Sequence, residues 1–306
     1  MRDKVYFFLF LIICVLLLYL GHDLALNSEL AAWTLTFGGS MAAAVLLAAI
    51  YKFRAELSAS RRELARKQSE LYFARKVQQE LFPQQFPQVG ELEFAAVCNP
   101  ASGISGDYYD VFSLPNGHLA FAIADIIGKG ISAAILMANL QALLRVVSSS
   151  AQTPVEVCNK VNRYLHQVTD TSRFATMFYA DWNPETRALA YVNAGHNPPF
   201  LLNGRNKQIL EHGGIPLGVL PVYEYTMGEV SLTPGDLLVL YSDGITEAGI
   251  HSGEEFGVQR LESLVVSMRE RPLSEIQAGV MDAVSKWTKA PPEDDVTLML
   301  VRTKEC

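Results

Sequence analysis

The sequence is poor in cysteine and in charge. Its 306 residues include four cysteines, which stand alone without a CxxC pair or a clustered histidine. This scarcity argues against a disulfide framework or a zinc site and fits a reducing compartment. Charged residues make up only 19% of the chain and hydrophobic residues 50%, which argues against a disordered protein and against a basic protein that coats nucleic acid.

Negative charge is concentrated in the C-terminal part of the chain. Residues 1–82 contain ten Lys and Arg against seven Asp and Glu, whereas residues 83–306 contain fifteen against twenty-five. An acidic body repels a phosphate backbone and attracts cations. We therefore expect no nucleic-acid partner, and the composition of residues 83–306 favours cation binding.

Two uncharged apolar runs lie near the N-terminus, at 5–20 and 31–51. A helix needs about 20 apolar residues to cross the bilayer core, so the second run is long enough and the first is marginal. A cleaved signal peptide is the alternative for the first run, but no clear small-x-small cleavage site precedes Asn27. The two runs predict a transmembrane hairpin over residues 1–51.

The basic residues around these runs predict their orientation. Lys and Arg are absent from 21–30, between the runs, and frequent in 52–67, after them. Because loops rich in Lys and Arg stay in the cytoplasm, we expect both termini there and the short loop outside. The chain is thus predicted to be a multi-pass membrane protein with residues 83–306 in the cytoplasm.

The segment 52–82 contains no Gly or Pro and ends at Pro83, which predicts a helical linker that leaves the membrane. An apolar residue recurs along it every seven positions, at Leu57, Leu64 and Leu71. Ser60 and Lys67 occupy the alternate core position, so the seam is imperfect. Two interpretations follow: a parallel coiled coil that forms a homodimer, and a solvated spacer with a leucine stripe.

Residues 83–306 are enough for one domain. Strand-like runs occur at 93–97, 109–114, 119–124, 175–182, 188–193, 237–241 and 296–301. Helices are predicted at 132–147, 154–168, 258–269 and 274–288, and Thr153 with Glu156 forms a capping box before the second. Successive hairpins beside grouped helices predict an α+β fold built on antiparallel sheets, not alternating βαβ units.

Four aspartates lie where predicted strands begin or end: Asp107, Asp125, Asp243 and Asp294. An isolated Asp in such a place is usually a turn residue. Several carboxylates that meet at one rim of a sheet would repel each other unless cations lay between them. Hard cations such as Mg²⁺ and Mn²⁺ take oxygen ligands of this kind, so the four together predict a metal site.

Six segments occur in a characteristic order: GDYYD (106–110), AIADIIGKG (122–130), NAGHNPP (193–199), YSDGITE (241–247), EEFG (254–257) and EDDVT (293–297). Together with ARKVQQELFP (74–83), they resemble the bacterial SpoIIE/RsbU-type branch of the PPM family, the metal-dependent serine/threonine protein phosphatases. The resemblance covers about residues 71–302. It implies two antiparallel sheets sandwiched between α-helices and two Mn²⁺ or Mg²⁺ ions. Because the family is bacterial, the membrane predicted from the two apolar runs is expected to be the bacterial inner membrane.

The resemblance also implies roles for individual residues. Asp125 would bridge both ions, and the backbone carbonyl of Ile126 would complete the coordination of one of them. Asp243 and Asp294 would bind the first ion, and Asp107 would hold the second, directly or through water. Bound ions of this kind activate water for in-line attack on phosphorus, without a covalent enzyme intermediate.

Four further residues of these motifs receive secondary roles. Lys129 stands where family members carry His or Lys and would steady the substrate or water, so we place it with Asp125 and Asp243 among the catalytic residues. Asp110 and Asp295 are expected either to support the metal ligands from behind or to be structural. His196 is a candidate general acid, but a loop histidine bonded to its own turn is the interpretation we favour, and no general acid is assigned.

The resulting hypothesis is a membrane-anchored phosphoserine/phosphothreonine protein phosphatase. Family analogy points to a phosphorylated anti-sigma-factor antagonist as its substrate. Two alternatives remain open: a catalytically silent binding module of the same fold, and a metal-dependent hydrolase of small phosphate esters. No metal-site aspartate is missing from the motifs, which argues against the silent module.

Overall fold

The structure is a computed structural model that describes residues 12, 15, 16, 19, 29–169, 173–204, 206–288 and 292–304. The side chains of residues 29–32, 35, 36 and 252 are outside this description. The chain divides into two compact units, Met1–Glu70 and Leu71–Cys306. The predicted first membrane helix, at 5–20, lies almost wholly outside the described residues, so the hairpin stays a prediction.

One helix, α1 (Glu29–Leu81), contains both the second apolar run and the predicted linker. At 1.5 Å per residue, the 21 residues of that run extend about 31 Å, close to the thickness of a bilayer core. Large apolar side chains in this stretch are exposed, among them Trp33, Phe37, Met41 and Tyr51. The linker leucines are exposed to different degrees, 42% for Leu57, 58% for Leu64 and 38% for Leu71.

The second unit contains two sheets. The first has the strand order β1-β11-β10-β6-β7, and the second has the order β2-β3-β4-β5-β8 with β9 paired to β5. All pairings are antiparallel except that of β5 with β8. The strands are β1 (Leu92–Asn99), β2 (Tyr108–Ser113), β3 (Leu119–Ile126), β4 (Ala175–Asn183), β5 (Ala188–Ala194), β6 (Phe200–Asn203), β7 (Asn206–Ile209), β8 (Gly213–Gly214), β9 (Gly228–Ser231), β10 (Leu237–Tyr241) and β11 (Val296–Thr303).

Helices cover the outer faces of the sheets. The helices are α2 (Ile131–Ser148), α3 (Pro154–Val168), the one-turn α4 (Asp243–Thr246), α5 (Gly257–Met268) and α6 (Leu273–Thr288), and a 3₁₀ turn spans Ile250–Ser252. Buried residues of α2 and α3 pack on the β2–β5 sheet, and those of α5 and α6 pack on the other sheet. A third core between the sheets includes Phe121, Phe178, Trp182 and Met299. The predicted sandwich of two sheets between helices is confirmed.

The apolar periodicity of α2 explains its position. Leu136, Met137, Leu140 and Leu144 form its buried face, at the spacing that places residues on one side of a helix. By length and composition alone, α2 is also long and apolar enough to cross a membrane. Its buried face belongs to the core against the β2–β5 sheet, and a core helix of a soluble domain can have the same length and composition.

Candidate metal and phosphate site

The predicted aspartates meet at one end of the two sheets. Asp107 precedes β2 and Asp125 lies near the end of β3, both in the β2–β5 sheet. Asp243 follows β10 directly after Ser242, and Asp294 precedes β11, both in the other sheet. After burial, the charge of another of these aspartates is the next cause that raises the pKa of Asp107, Asp125 and Asp243. Residues far apart in the sequence are therefore close in space.

Two glycines allow the backbone segments of this region to approach closely. A Cβ atom on Gly244 would lie 2.1 Å from the backbone oxygen of Asp295, so only glycine fits between the start of α4 and the segment before β11. A Cβ atom on Gly106 would lie 3.1 Å from the carbonyl oxygen of Ile126. These contacts bring the segments that carry Asp243 and Asp294, and those that carry Asp107 and Asp125, together.

The pKa of Asp125 is raised to about 7, first by burial and then by the charges of Asp243 and Asp294. The pKa of Asp243 is also raised, by burial and by Asp294. Burial and the charge of Asp125 raise the pKa of Asp107 well above its usual range. The ionised carboxylates are therefore an unfavourable arrangement unless positive charge enters the site.

Asp107 is buried, with 2% of its surface exposed. Its Oδ2 accepts a hydrogen bond of 2.5 Å from the hydroxyl of Thr297 on β11. Its backbone N–H donates to Oγ of Ser105 at 3.0 Å. The side chain of Asp107, which precedes β2, thus bonds to β11 in the other sheet. Its position in the sequence alone would not predict this contact.

Lys129 contributes positive charge to the site. Its Nζ lies 2.9 Å from Oδ2 of Asp294 and donates to the carbonyl oxygen of Glu293 at 2.6 Å. The hydrogen bond to Asp294 is the main reason that the pKa of Lys129 is raised, so the amine is charged at neutral pH. Its side chain is 55% exposed and lies between Gly128 and Gly130, where the loop opens to solvent.

The carboxylate of Asp295 accepts three hydrogen bonds from the segment before β2. Its Oδ1 accepts from the N–H of Ala101 at 2.8 Å, and its Oδ2 accepts from the hydroxyl of Ser105 at 2.9 Å and the N–H of Gly106 at 2.6 Å. With both oxygens engaged by the segment before β2, Asp295 ties that segment to β11. This agrees with the structural role expected for it.

The end of α1 bonds Ser105, one of the donors to Asp295. Gln78, which is 6% exposed, donates from Nε2 to the carbonyl of Ser105 at 2.7 Å and accepts from its N–H at 2.8 Å. Ser105 in turn bonds Asp295 and the backbone of Asp107. The sequence analysis did not single out Gln78 or Ser105, and only the position of Gln78 in the ARKVQQELFP segment pointed to it.

Asp110 belongs to a separate hydrogen-bond network with Tyr108 and Arg145. It is fully buried and forms a pair of hydrogen bonds, at 2.7 and 2.8 Å, with the guanidinium of Arg145 on α2. The hydroxyl of Tyr108 also donates to it at 2.7 Å. Asp110 therefore anchors α2 to β2, in agreement with the structural role expected for it.

His196 is 4% exposed, and burial lowers its pKa to about 4. Its Nδ1 is 2.8 Å from the hydroxyl of Thr176, and its backbone N–H donates to Oδ1 of Asn193 at 2.8 Å. A buried imidazole that stays neutral at pH 7 is unsuited to donating a proton to a leaving group. The structure thus favours a structural histidine over a general acid.

The donors of the site suit a hard divalent cation. They are carboxylate oxygens, and burial and neighbouring negative charge raise the pKa of Asp107, Asp125 and Asp243. Within the part of the chain that the structure describes, no three His, Cys, Asp or Glu side chains are grouped as a ready metal-binding set. Two carboxylates are instead directed to other donors, Asp107 to Thr297 and Asp294 to Lys129.

Comparison with known proteins identifies the family. The family described as Stage II sporulation protein E (SpoIIE) matches residues 115–304. The phosphoserine phosphatase RsbU of Bacillus subtilis (strain 168) is 34% identical over 240 residues, which cover 77% of this chain and 70% of RsbU. The match therefore extends over most of both proteins.

Two solved structures share the fold. The RsbU and RsbW domains of Rv1364c from Mycobacterium tuberculosis are 26% identical with a TM-score of 0.63, covering 72% of this chain and 62% of that chain. The SiaA-PP2C domain of Pseudomonas aeruginosa is 20% identical with a TM-score of 0.69, covering 78% and 98%. Phosphatases of the PPM, or PP2C, type are metal-dependent. The chain belongs to the SpoIIE family and carries a PPM-type serine phosphatase domain.

Proposed function

We propose that this chain is a metal-dependent protein phosphatase that hydrolyses phosphoserine or phosphothreonine. The observation that carries the proposal is the group of aspartates contributed by both sheets, in which burial and then the charges of Asp243 and Asp294 raise the pKa of Asp125 to about 7. Divalent cations would relieve this repulsion and, when bound, would stabilise the attacking and leaving oxygens of a phosphoryl transfer. Membership of the SpoIIE family supports the same chemistry.

We assign the cation ligands as a hypothesis. Asp125 would contact two Mn²⁺ or Mg²⁺ ions, aided by the Ile126 carbonyl, with Asp243 and Asp294 on the first ion and Asp107 on the second. When bound, such ions activate water and neutralise the charge of the phosphoryl group. The close approaches at Gly106 and Gly244 support this assignment, because they bring the ligand-bearing segments together.

Lys129 is the proposed contact for the phosphoryl oxygens. Its amine is charged, largely exposed and held beside the aspartates by Asp294. An ammonium group in this position attracts a phosphate dianion that the carboxylates alone would repel. Asp125, Asp243 and Lys129 are thus the residues that we propose to act in catalysis.

The substrate and the location are proposed from the relatives. Similarity to RsbU favours a phosphorylated anti-sigma-factor antagonist of a partner-switching pathway. The exposed apolar residues of α1 between Trp33 and Tyr51 support a membrane anchor, with the phosphatase domain in the cytoplasm of a bacterium. The leucine repeat of the linker supports a homodimer through α1.

Phosphate release by the purified full-length chain in detergent tests the proposal. The substrates are a phosphoserine protein, a phosphothreonine peptide and a nucleotide, each with Mn²⁺, with Mg²⁺ or with chelator. We expect release from the phosphoprotein that requires a divalent cation. Release only from the nucleotide would favour the small-ester hydrolase, and no release with any metal would favour the silent binding module.

A further inference from the structure

The loop around His196 crosses from one sheet to the other. It connects β5, in the sheet that carries Asp125, to β6, in the sheet that carries Asp243. β5 ends beside the start of β4, and Thr176 near the start of β4 pairs with Asp125. The loop therefore crosses at the end of the sheets where the aspartates meet.

His196 is fixed within this loop by contacts on several sides. Its ring is buried, its Nδ1 is 2.8 Å from Oγ1 of Thr176, and its backbone N–H is bonded to Asn193. The hydroxyl of Tyr241, the last residue of β10, donates to the carbonyl of Pro198 at 3.3 Å. The loop is thus attached to strands of both sheets.

The contacts of His196 and its loop lie beside two of the proposed ligands, Asp125 and Asp243. Thr176 lies directly opposite Asp125 in the β3–β4 pairing, so the two side chains share one face of the sheet and are neighbours. On the other side, Tyr241, two residues before Asp243, holds the same loop through its hydroxyl, which donates to the carbonyl of Pro198, two residues after His196. The other ring nitrogen, Nε2, is buried and has no hydrogen-bond partner among the described residues.

We infer that His196 and Thr176 are positioning residues for the cation site, because together they set the spacing between the strand of Asp125 and the strand of Asp243. The inference rests on the proposed function. Metal ligands must be held within about 0.5 Å of their working geometry, and the groups behind them provide that support. A neutral imidazole does this without adding a positive charge that would compete with the cations.

Calorimetric titration of Mn²⁺ into the full-length chain in detergent tests this role, together with the melting temperature in chelator. Thr176→Val keeps the shape of the side chain and removes its hydroxyl, and Thr176→Ser keeps the hydroxyl. His196→Phe fills the space of the ring without hydrogen bonds. Thr303→Val is the matched control. Thr303 is buried at the end of β11 that lies away from the aspartates, and its hydroxyl has no hydrogen-bond partner among the described residues.

We expect Thr176→Val and His196→Phe to weaken Mn²⁺ binding about tenfold, the loss typical of a group behind a metal ligand. Thr176→Ser and Thr303→Val should bind as the wild type does. Wild-type affinity for Mn²⁺ in Thr176→Val would overturn the inference, even if His196→Phe fails to fold. In that case, loss of Mn²⁺ binding in Asp125→Asn would still support the proposed function. A wild-type chain that binds no Mn²⁺ would overturn both.

Discussion

At the scale of single residues, Asp125 is under electrostatic strain from its burial and from its charged neighbours. Two like charges about 5 Å apart repel by about 3 kcal/mol at an effective dielectric constant of about 20. Asp125 experiences this effect from Asp243 and Asp294 in addition to burial, and Lys129 offsets only part of it through Asp294. The carboxylates are therefore retained at a cost in stability, as is common at functional sites.

This cost predicts how Asp125→Asn behaves. A carboxyl group whose pKa is raised on folding contributes stability at low pH and loses that contribution as the pH rises through about 7. At pH 8 in chelator, Asp125→Asn should therefore melt a few degrees above the wild type. This gain should shrink as the pH falls below 7 and disappear only below about pH 4, the usual pKa of Asp. Differential scanning calorimetry measures it, with the exposed Asp282→Asn as the control.

In Mn²⁺ the order should reverse, because the wild type gains stability from the bound ion and the variant does not. A variant that melts below the wild type in chelator at pH 8, with an unchanged far-UV circular dichroism spectrum, would contradict the repulsion argument.

At the scale of elements, the sequence predicted the long strands and helices well. The helix Pro154–Val168 matches the prediction at both ends, and Thr153 accepts from the N–H of Glu156 as the capping box requires. Glu156 bonds the N–H of Gln152 rather than that of Thr153. Strands β6 to β9 were not predicted, because they are two to four residues long and too short for a periodic pattern.

The sequence predicted the site residues that lie at strand ends, but not the residues that hold them. Asp107, Asp125, Asp243 and Asp294 could be recognised from their positions beside apolar strands. The contacts of Thr297 with Asp107 and of Ser105 with Asp295 join residues 190 positions apart. No local pattern encodes such contacts, since they depend on how the two sheets pack.

The last turns of α1 form part of the phosphatase unit, and this predicts the effect of Gln78→Leu. The substitution removes both hydrogen bonds to Ser105 and leaves its buried N–H and carbonyl without them, at a cost of about 1–3 kcal/mol. Because Ser105 also holds Asp107 and Asp295, we expect phosphatase activity to fall several-fold and the required Mn²⁺ concentration to rise.

Gln79→Leu changes the exposed neighbour on the same helix and is the matched control. Equal activity of the two variants across a Mn²⁺ titration would mean that the end of α1 does not position the aspartates.

The linker part of α1 predicts a dependence on helical phase. One residue inserted near Arg66 rotates the residues before the insertion by about 100° relative to those after it, and seven inserted residues restore the phase. If two copies of α1 share the leucine stripe, the single insertion should change activity of the full-length membrane protein several-fold, and the seven-residue insertion should not. Equal phosphate release by the wild type and both insertions would identify the linker as a passive spacer.

At the scale of the whole molecule, the proposed substrate requires the phosphatase domain to face the cytoplasm. Lys and Arg are absent from 21–30 and frequent in 52–67. A topology reporter fused after Leu26 should therefore read as exported, and one fused after Arg62 should read as cytoplasmic. Export of the reporter after Arg62 would place the domain outside the cell, away from any intracellular phosphoprotein.

The central claim is that aspartates from the two sheets form a cation-dependent phosphatase site, and Asp243 tests it most directly. Phosphate release from a phosphoserine protein in Mn²⁺ is the measurement, compared between the wild type, Asp243→Asn and the exposed control Asp282→Asn. We expect Asp243→Asn to lose essentially all activity with its fold intact, and Asp282→Asn to match the wild type. Retention of more than about a tenth of the activity by Asp243→Asn would contradict the account, because an interaction worth one factor of ten is only about 1.4 kcal/mol.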